Sequence, residues 1–282
     1  MDNTYAHKTA ALKRKLSVLE VVSPVLDGVC SMAGWLFVST MAGLATGDVY
    51  EGMVIAAAVV GAMAMQWRMY RAPRSGRSLA RGPWVWLVPV AVVLAWVAGE
   101  AFATSWWALH PADVIESTAS TELTAWAIAY VAVAAPLIEE LSFRGLMLDV
   151  DDRHALVCAA VSSVLFAASH LSVAHVVLTV ALGMALGALR ICSRRVWPCV
   201  IVHCAFNSAT LALSGAAATR AVMHLPMWAA VVLGCASVAL SVTTIMRGVD
   251  HGGTATQDQA VLGTEADHHA GAAGEDAGCP QG

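Results

Sequence analysis

Apolar runs long enough to form helices across a membrane recur along this chain, and they leave few architectures open. Residues 124–134 read TAWAIAYVAVA, with no polar–apolar alternation that would suit a half-buried strand. In hydrocarbon every backbone N–H and C=O must be satisfied within the segment, so an open run of this kind folds as a helix. A span needs ~17–25 apolar residues. By that measure the candidates are 22–46, 52–67, 84–108, 123–147, 155–171, 174–191, 198–214 and 227–246. The second, fifth and seventh are short, which leaves seven as the other possible count. The expected fold is all-α, a polytopic transmembrane helix bundle of about eight spans. No repeat of 20–50 residues is visible. The composition agrees: 58% of residues are hydrophobic and 13% charged, against ~25% charged in a soluble domain.

Charge sets the expected orientation, because cytoplasmic loops carry the excess of Lys and Arg. Lys8, Lys13, Arg14 and Lys15 precede the first run. Arg68, Arg71, Arg74, Arg77 and Arg81 follow the second, Arg190, Arg194 and Arg195 the sixth, and Arg247 the last. The loops around Asp48–Glu51 and His110–Glu122 have neither Lys nor Arg, and Arg220 is the exception among outer loops. Both termini are therefore expected in the cytoplasm. The basic start resembles a signal peptide, but the run after it is too long and lacks a cleavage site, so it reads as a retained helix. The domain reading is a basic cytoplasmic N-terminus over 1–21, a transmembrane domain over 22–247 and a disordered hydrophilic tail over 248–282. Lys is nearly confined to residues 8–15 while Arg and Ala are common, the pattern of a GC-rich bacterial genome and hence of a bacterial cell membrane. No basic stripe suggests a nucleic-acid partner. The seven cysteines are an odd number without a CxxC pair and read as reduced apolar side chains.

Ionisable groups inside spans cost at least ~2.5–3.5 kcal/mol each and usually mark function. Here they are Asp27, Glu100, Glu139, Glu140, Arg144, His170, His175 and His203, with Asn207 beside them. On a helix Glu140 and Arg144 are i,i+4 neighbours with the acid first, the favoured order for an ion pair. Glu139 points about 100° away and has no local partner. Its partner is expected on another helix. His170 shares a helical face with Phe166, and His203 shares one with Asn207. Together these supply two imidazoles, a carboxylate and an amide, a set able to bind a metal or to position and deprotonate a water. His203 lies at a different depth from Glu139 and His170, so the seventh helix is expected to start deeper or to tilt. His175, five residues from His170 and off its face, reads as interfacial. Gly183 and Gly187 have the spacing of close helix packing.

Glu139–Glu140–x₃–Arg144, Phe166–x₃–His170 and His203–x₃–Asn207, in this order, resemble the motifs of the CPBP family of intramembrane proteases. That family includes the type II CAAX prenyl endopeptidases and bacterial proteins linked to bacteriocin self-immunity. The resemblance covers about residues 123–214. It implies an intramembrane endopeptidase with its site between helices four, five and seven. Glu139 would activate water, His170 and His203 would bind or polarise it, Asn207 would help hold the oxyanion, and Arg144 would support Glu140. Zinc held by His170, His203 and Glu139 is one version of such a site; a glutamate–histidine water site without metal is the other. The implied partners are a membrane-associated peptide or protein substrate and the lipid bilayer. The competing reading is a non-catalytic transporter, or an immunity or binding scaffold, with a polar cavity; neither broken helices nor internal repeats, which transporters favour, are evident.

Overall fold

A computed structural model describes residues 3–70, 86–110, 124–150, 152–213 and 225–247. The tail from 248, most of the arginine-rich loop after the second helix, and Arg220 lie outside the described residues. The described residues form eight helices: α1 Asn3–Thr46, α2 Val49–Tyr70, α3 Leu87–Leu109, α4 Ala125–Leu146, α5 Ala155–Ser169, α6 Val176–Ser193, α7 Trp197–Leu213 and α8 Met227–Arg247. The fold is an all-helical bundle. Six of these helices are long and apolar enough to cross a membrane, while α5 and α7 are shorter apolar helices. The boundaries follow the apolar runs closely, with two differences. α1 is already helical at Asn3, within the basic N-terminus. α6 extends through Arg190, so this arginine, read from sequence as a loop charge, is buried inside the last turn of a helix.

α6 is the central helix. Ala181, Leu182, Gly183, Met184, Ala185, Leu186, Gly187 and Ala188 are all buried, and the helix packs against α3, α5 and α7. The two glycines make this approach possible. A Cβ on Gly183 would run into Ser163 of α5, and one on Gly187 would meet the Ala159 Cβ at 3.3 Å. Small residues let membrane helices approach backbone to backbone, which is the use the GxxxG spacing has here. α1 and α2 form an antiparallel pair whose inner face receives α4. α8 docks on α3 through the Ser237 hydroxyl, which donates to the Ala91 carbonyl at 2.7 Å.

α4 is irregular, and the irregularity has identifiable causes. Its α-helical stretches Ala125–Ala129 and Ala135–Glu140 are each followed by a wider π-helical stretch, Tyr130–Ala134 and Leu141–Leu146. Pro136 lacks an N–H, so the turn before it cannot close with ordinary bonds; the N–H of Ala135 instead reaches back to the Tyr130 carbonyl. π-turns leave backbone groups to be satisfied from outside the helix. In the second stretch the Ser162 hydroxyl donates to the Phe143 carbonyl at 2.9 Å, and Arg190 Nε donates to the Arg144 carbonyl at 3.0 Å. Both donors come from neighbouring helices, so this geometry is fixed by tertiary packing.

Candidate active site

The short α stretch of α4 between the two π segments carries Glu139 and Glu140. Glu140 is fully buried, and its Oε1 accepts from Arg144 Nη1 at 3.0 Å, the i,i+4 pair anticipated from spacing. The same oxygen lies 2.9 Å from His203 Nδ1 on α7. With Arg144 Nη1 and His203 Nδ1 both on Oε1, Glu140 serves as the acceptor and His203 donates through Nδ1, which in the neutral ring leaves Nε2 as an acceptor. His203 Nε2 lies 3.8 Å from Glu139 Oε2. That is beyond hydrogen-bond range, but it is a spacing a single water can bridge.

Arg144 is fully buried as well. Its Nη2 donates to the Gly183 carbonyl at 3.2 Å, and its guanidinium carbon sits 4.6 Å over the Phe166 ring. The position of Phe166 explains why an aromatic residue precedes His170 by one turn. His170 and His203 both set their rings edge-on to Phe166, with centroid distances of 4.8 and 5.7 Å, and Phe143 does so at 5.5 Å. One buried ring thus spaces two imidazoles and a guanidinium. His170 donates its Nδ1–H to the Phe166 carbonyl at 2.8 Å, because a carbonyl can only accept, and it too keeps a free Nε2 lone pair.

Asn207 is held by the irregularity of α4. Continuing the π register, the next donor to the Val131 carbonyl would be residue 136, and Pro136 has none. Asn207 Nδ2 donates to that carbonyl at 2.8 Å. This fixes the amide plane and leaves one N–H of the group for another acceptor.

Glu139, His170, His203 and Asn207 all line one cavity of about 430 Å³, so the structure brings together side chains from α4, α5 and α7. Glu140 and Arg144 lie behind its wall, fully buried. The depth mismatch expected for the seventh helix does not keep its histidine away, since α7 begins only at Trp197 and His203 reaches both glutamates. Among the described residues no group of three or more His, Cys, Asp and Glu is arranged to hold a metal ion. Glu139, His170 and His203 share the cavity without standing as such a group.

Several residues belong to the site although their sequence context does not single them out. His175, read as interfacial, lines the same cavity. Its Nδ1 is 2.8 Å from the Ser172 hydroxyl, and its ring meets Trp107 edge-on at 5.6 Å. Tyr130 also lines the cavity, stacked on Trp35 with centroids 6.2 Å apart. Pro136, one turn before a buried acid in an apolar run, was the available signal for the irregular turn that anchors Asn207. Asp27 and Glu100 do not line this cavity. The six described cysteines are free thiols, in line with the absence of a disulfide pattern.

No curated protein and no solved structure matches the chain. Residues 121–209, the segment that contains every residue of the glutamate, histidine and asparagine constellation, match the family model described as type II CAAX prenyl endopeptidase Rce1-like. Over this segment, about a third of the chain, the protein is similar to the Rce1-like type II CAAX prenyl endopeptidase family.

Proposed function

We propose that the chain is an intramembrane endopeptidase that hydrolyses peptide bonds of membrane-associated peptides or proteins with a water activated by Glu139. The observation that carries this reading is the pair of acceptors facing each other across 3.8 Å, Glu139 Oε2 and His203 Nε2, inside a cavity that also holds His170 and Asn207. A water held there would donate one O–H to each acceptor, leaving its own lone pair directed at a substrate carbonyl. Glu139 takes a proton as the water attacks and is the group placed to pass it to the departing amine. Glu140 acts through His203: it fixes the Nδ1–H tautomer and favours positive charge on the ring if a proton arrives at Nε2. The remaining N–H of Asn207 is available to the oxyanion of the tetrahedral intermediate, a role in which one donor is worth ~10²–10³ in rate. His170, with its free Nε2, is the further candidate to polarise the water or, once protonated, the oxyanion.

The test is Glu139→Gln, which preserves volume and removes the proton acceptor. Positioned bases contribute ~10²–10⁴-fold, so cleavage of a peptide that the wild-type protein cuts should fall at least ~100-fold with detergent stability unchanged. An active Glu139→Gln protein would falsify the assignment of the base. In the same assay, activity is expected to survive dialysis against a chelator. Loss of activity that zinc alone restores would instead reinstate His170, His203 and Glu139 as metal ligands.

A further inference from the structure

The turn between α5 and α6 is not built like a turn in water. From residue 155 to residue 189 the chain has no Asp, Glu, Lys or Arg, and the turn itself, residues 171–174, has no Gly, Pro, Asn or Asp. Turns that meet water draw on those residues. The turn between α1 and α2 does so. Gly47 supplies a left-handed φ of 76°, and the Asp48 carboxylate accepts from the N–H groups of Tyr50 and Glu51 at 2.8 and 3.1 Å. After α5 the left-handed position is taken by Leu171, at φ 50°. A residue with a Cβ is strained there. Its side chain is 95% exposed, so packing within the bundle does not offset that strain.

α5 presents an apolar stripe to its outside. Val157, Ala160, Val164 and Ala168 are exposed at intervals of three or four residues, and Leu171 is next at that spacing. The opposite face, with Cys158, Ser162 and Phe166, is buried against the bundle. In a membrane bundle the exposed apolar face is the one that meets lipid. The stripe carries this lipid-facing surface on into the turn, where Val173 is exposed as well. The polar groups of the turn are satisfied by the chain itself. The N–H groups of His170, Leu171 and Val176 reach the carbonyls of Ala167, Ala168 and Val173 at 3.2, 3.3 and 3.2 Å. The Ser169 hydroxyl donates to the Phe166 carbonyl, and the Ser172 hydroxyl lies 2.8 Å from His175 Nδ1. Irregular backbone is tolerated at membrane depth where it is paired and borders a cavity in the protein, and His170 and His175 both line one.

Helix length gives the depth. The Arg153–Glu20 pair just ahead of α5 is exposed on both sides. Exposed charges in hydrocarbon are costly, so this end of α5 lies at a membrane surface. From there its 15 residues climb ~22 Å at ~1.5 Å each. The hydrocarbon core is ~30 Å thick, and the turn ends short of the opposite surface.

We infer that the turn between α5 and α6 is immersed in the bilayer, below the membrane surface it approaches, with Leu171 and Val173 packed among phospholipid acyl chains. The partner is the hydrocarbon of the lipid and not its headgroup, because the turn has no acidic or basic side chain to offer a headgroup. Leu171 is then an anchor that sets the depth of His170 beside it and of His175 at the start of α6, both on the cavity wall. The inference holds for a turn at either face of the membrane and does not depend on the peptidase reading.

The experiment is depth-dependent fluorescence quenching of the full-length protein in phosphatidylcholine vesicles, which needs no catalysis. Leu171→Cys, Val173→Cys, Val164→Cys and Arg153→Cys proteins are each labelled with a thiol-reactive nitrobenzoxadiazole fluorophore. The signal is read as the gain over the unsubstituted protein treated in the same way. Val164, exposed along α5, is the reference within the membrane, and Arg153 is the reference at its surface. One quencher is phosphatidylcholine with a nitroxide on its acyl chain, and the other is iodide in the water. At positions 171 and 173 the nitroxide lipid should quench nearly as strongly as at 164, and iodide several-fold less than at 153. Iodide quenching equal to that at 153 overturns the inference, since the turn then stands in water or the bilayer thins to meet it. Protection from both quenchers at 171 and 173 overturns it as well, since protein then covers the turn. If the label at 171 disturbs folding, seen as a changed gel-filtration profile in detergent, position 173 decides by the same outcomes.

Discussion

Adjacent glutamates in one apolar helix do different work because a helix turns about 100° per residue. Glu140 faces the bundle interior and takes Arg144 and His203 on a single oxygen, while Glu139 faces the cavity. Glu140→Gln leaves the guanidinium of Arg144 buried without its counter-charge, and breaking one side of such a pair costs ~3–5 kcal/mol. The mutant should melt well below wild type in detergent, and Arg144→Gln in the same chain should recover part of the loss. If Glu140→Gln is as stable as wild type yet inactive while Glu139→Gln stays active, Glu140 and not its neighbour is the reacting carboxylate. The i,i+4 pair was legible in the sequence because helical spacing alone determines it. The shared oxygen was not, because His203 lies 63 residues further along the chain.

At the scale of elements, α4 shows how a defect in one helix positions a side chain on another. Pro136 withholds an N–H, the Val131 carbonyl is left without a backbone donor, and Asn207 of α7 supplies one. Pro136→Ala would restore a backbone donor and compete for that carbonyl. We expect the fold to hold and cleavage to drop, by less than the ~10²–10³ anticipated for Asn207→Ala if its amide serves the oxyanion. The pair should also be strongly non-additive: in the Asn207→Ala background, Pro136→Ala should change little further, since the group it acts through is gone. Full additivity of the two losses would show that Pro136 affects the site by another route. The apolar run predicted α4 with nearly its full length, but a run of apolar residues does not reveal where the turn widens.

For the whole molecule, the shortest of the described helices is the one capped by His170. α5, with 15 residues, spans only ~22 Å at ~1.5 Å per residue, less than the ~30 Å of a typical hydrocarbon core. α3, with 23 residues, reaches ~35 Å. The bundle thus presents a thin sector next to its site, which brings water toward the cavity or thins the bilayer locally, each at modest cost. Reconstituted protein should cleave faster in bilayers of short-chain lipids than in thick, long-chain ones, at equal folded fraction. Activity that rises steadily with bilayer thickness would contradict a thin sector at the site.

The sequence by itself determined the helical bundle, its span boundaries to within a few residues at most ends, and the residue types of the candidate site. It could do so because burial in lipid and the 3.6-residue turn are local constraints, readable from consecutive side chains. It also carries the charge asymmetry from which the orientation is inferred, since the loops lie beside the spans in the chain. Only the tertiary structure decided which polar groups meet. It seated His203 between two glutamates, placed Phe166 as the spacer for both imidazoles, buried Arg190 under the carbonyl of Arg144, and put His175 on the cavity wall. These contacts join helices far apart in sequence, and each depends on how α4 departs from a regular helix and on how closely α6 lets α5 approach at Gly183 and Gly187. Those are properties of the packed bundle: Pro136 and the Gly183–Gly187 spacing mark where helices depart from regularity or approach closely, but not which side chains meet there.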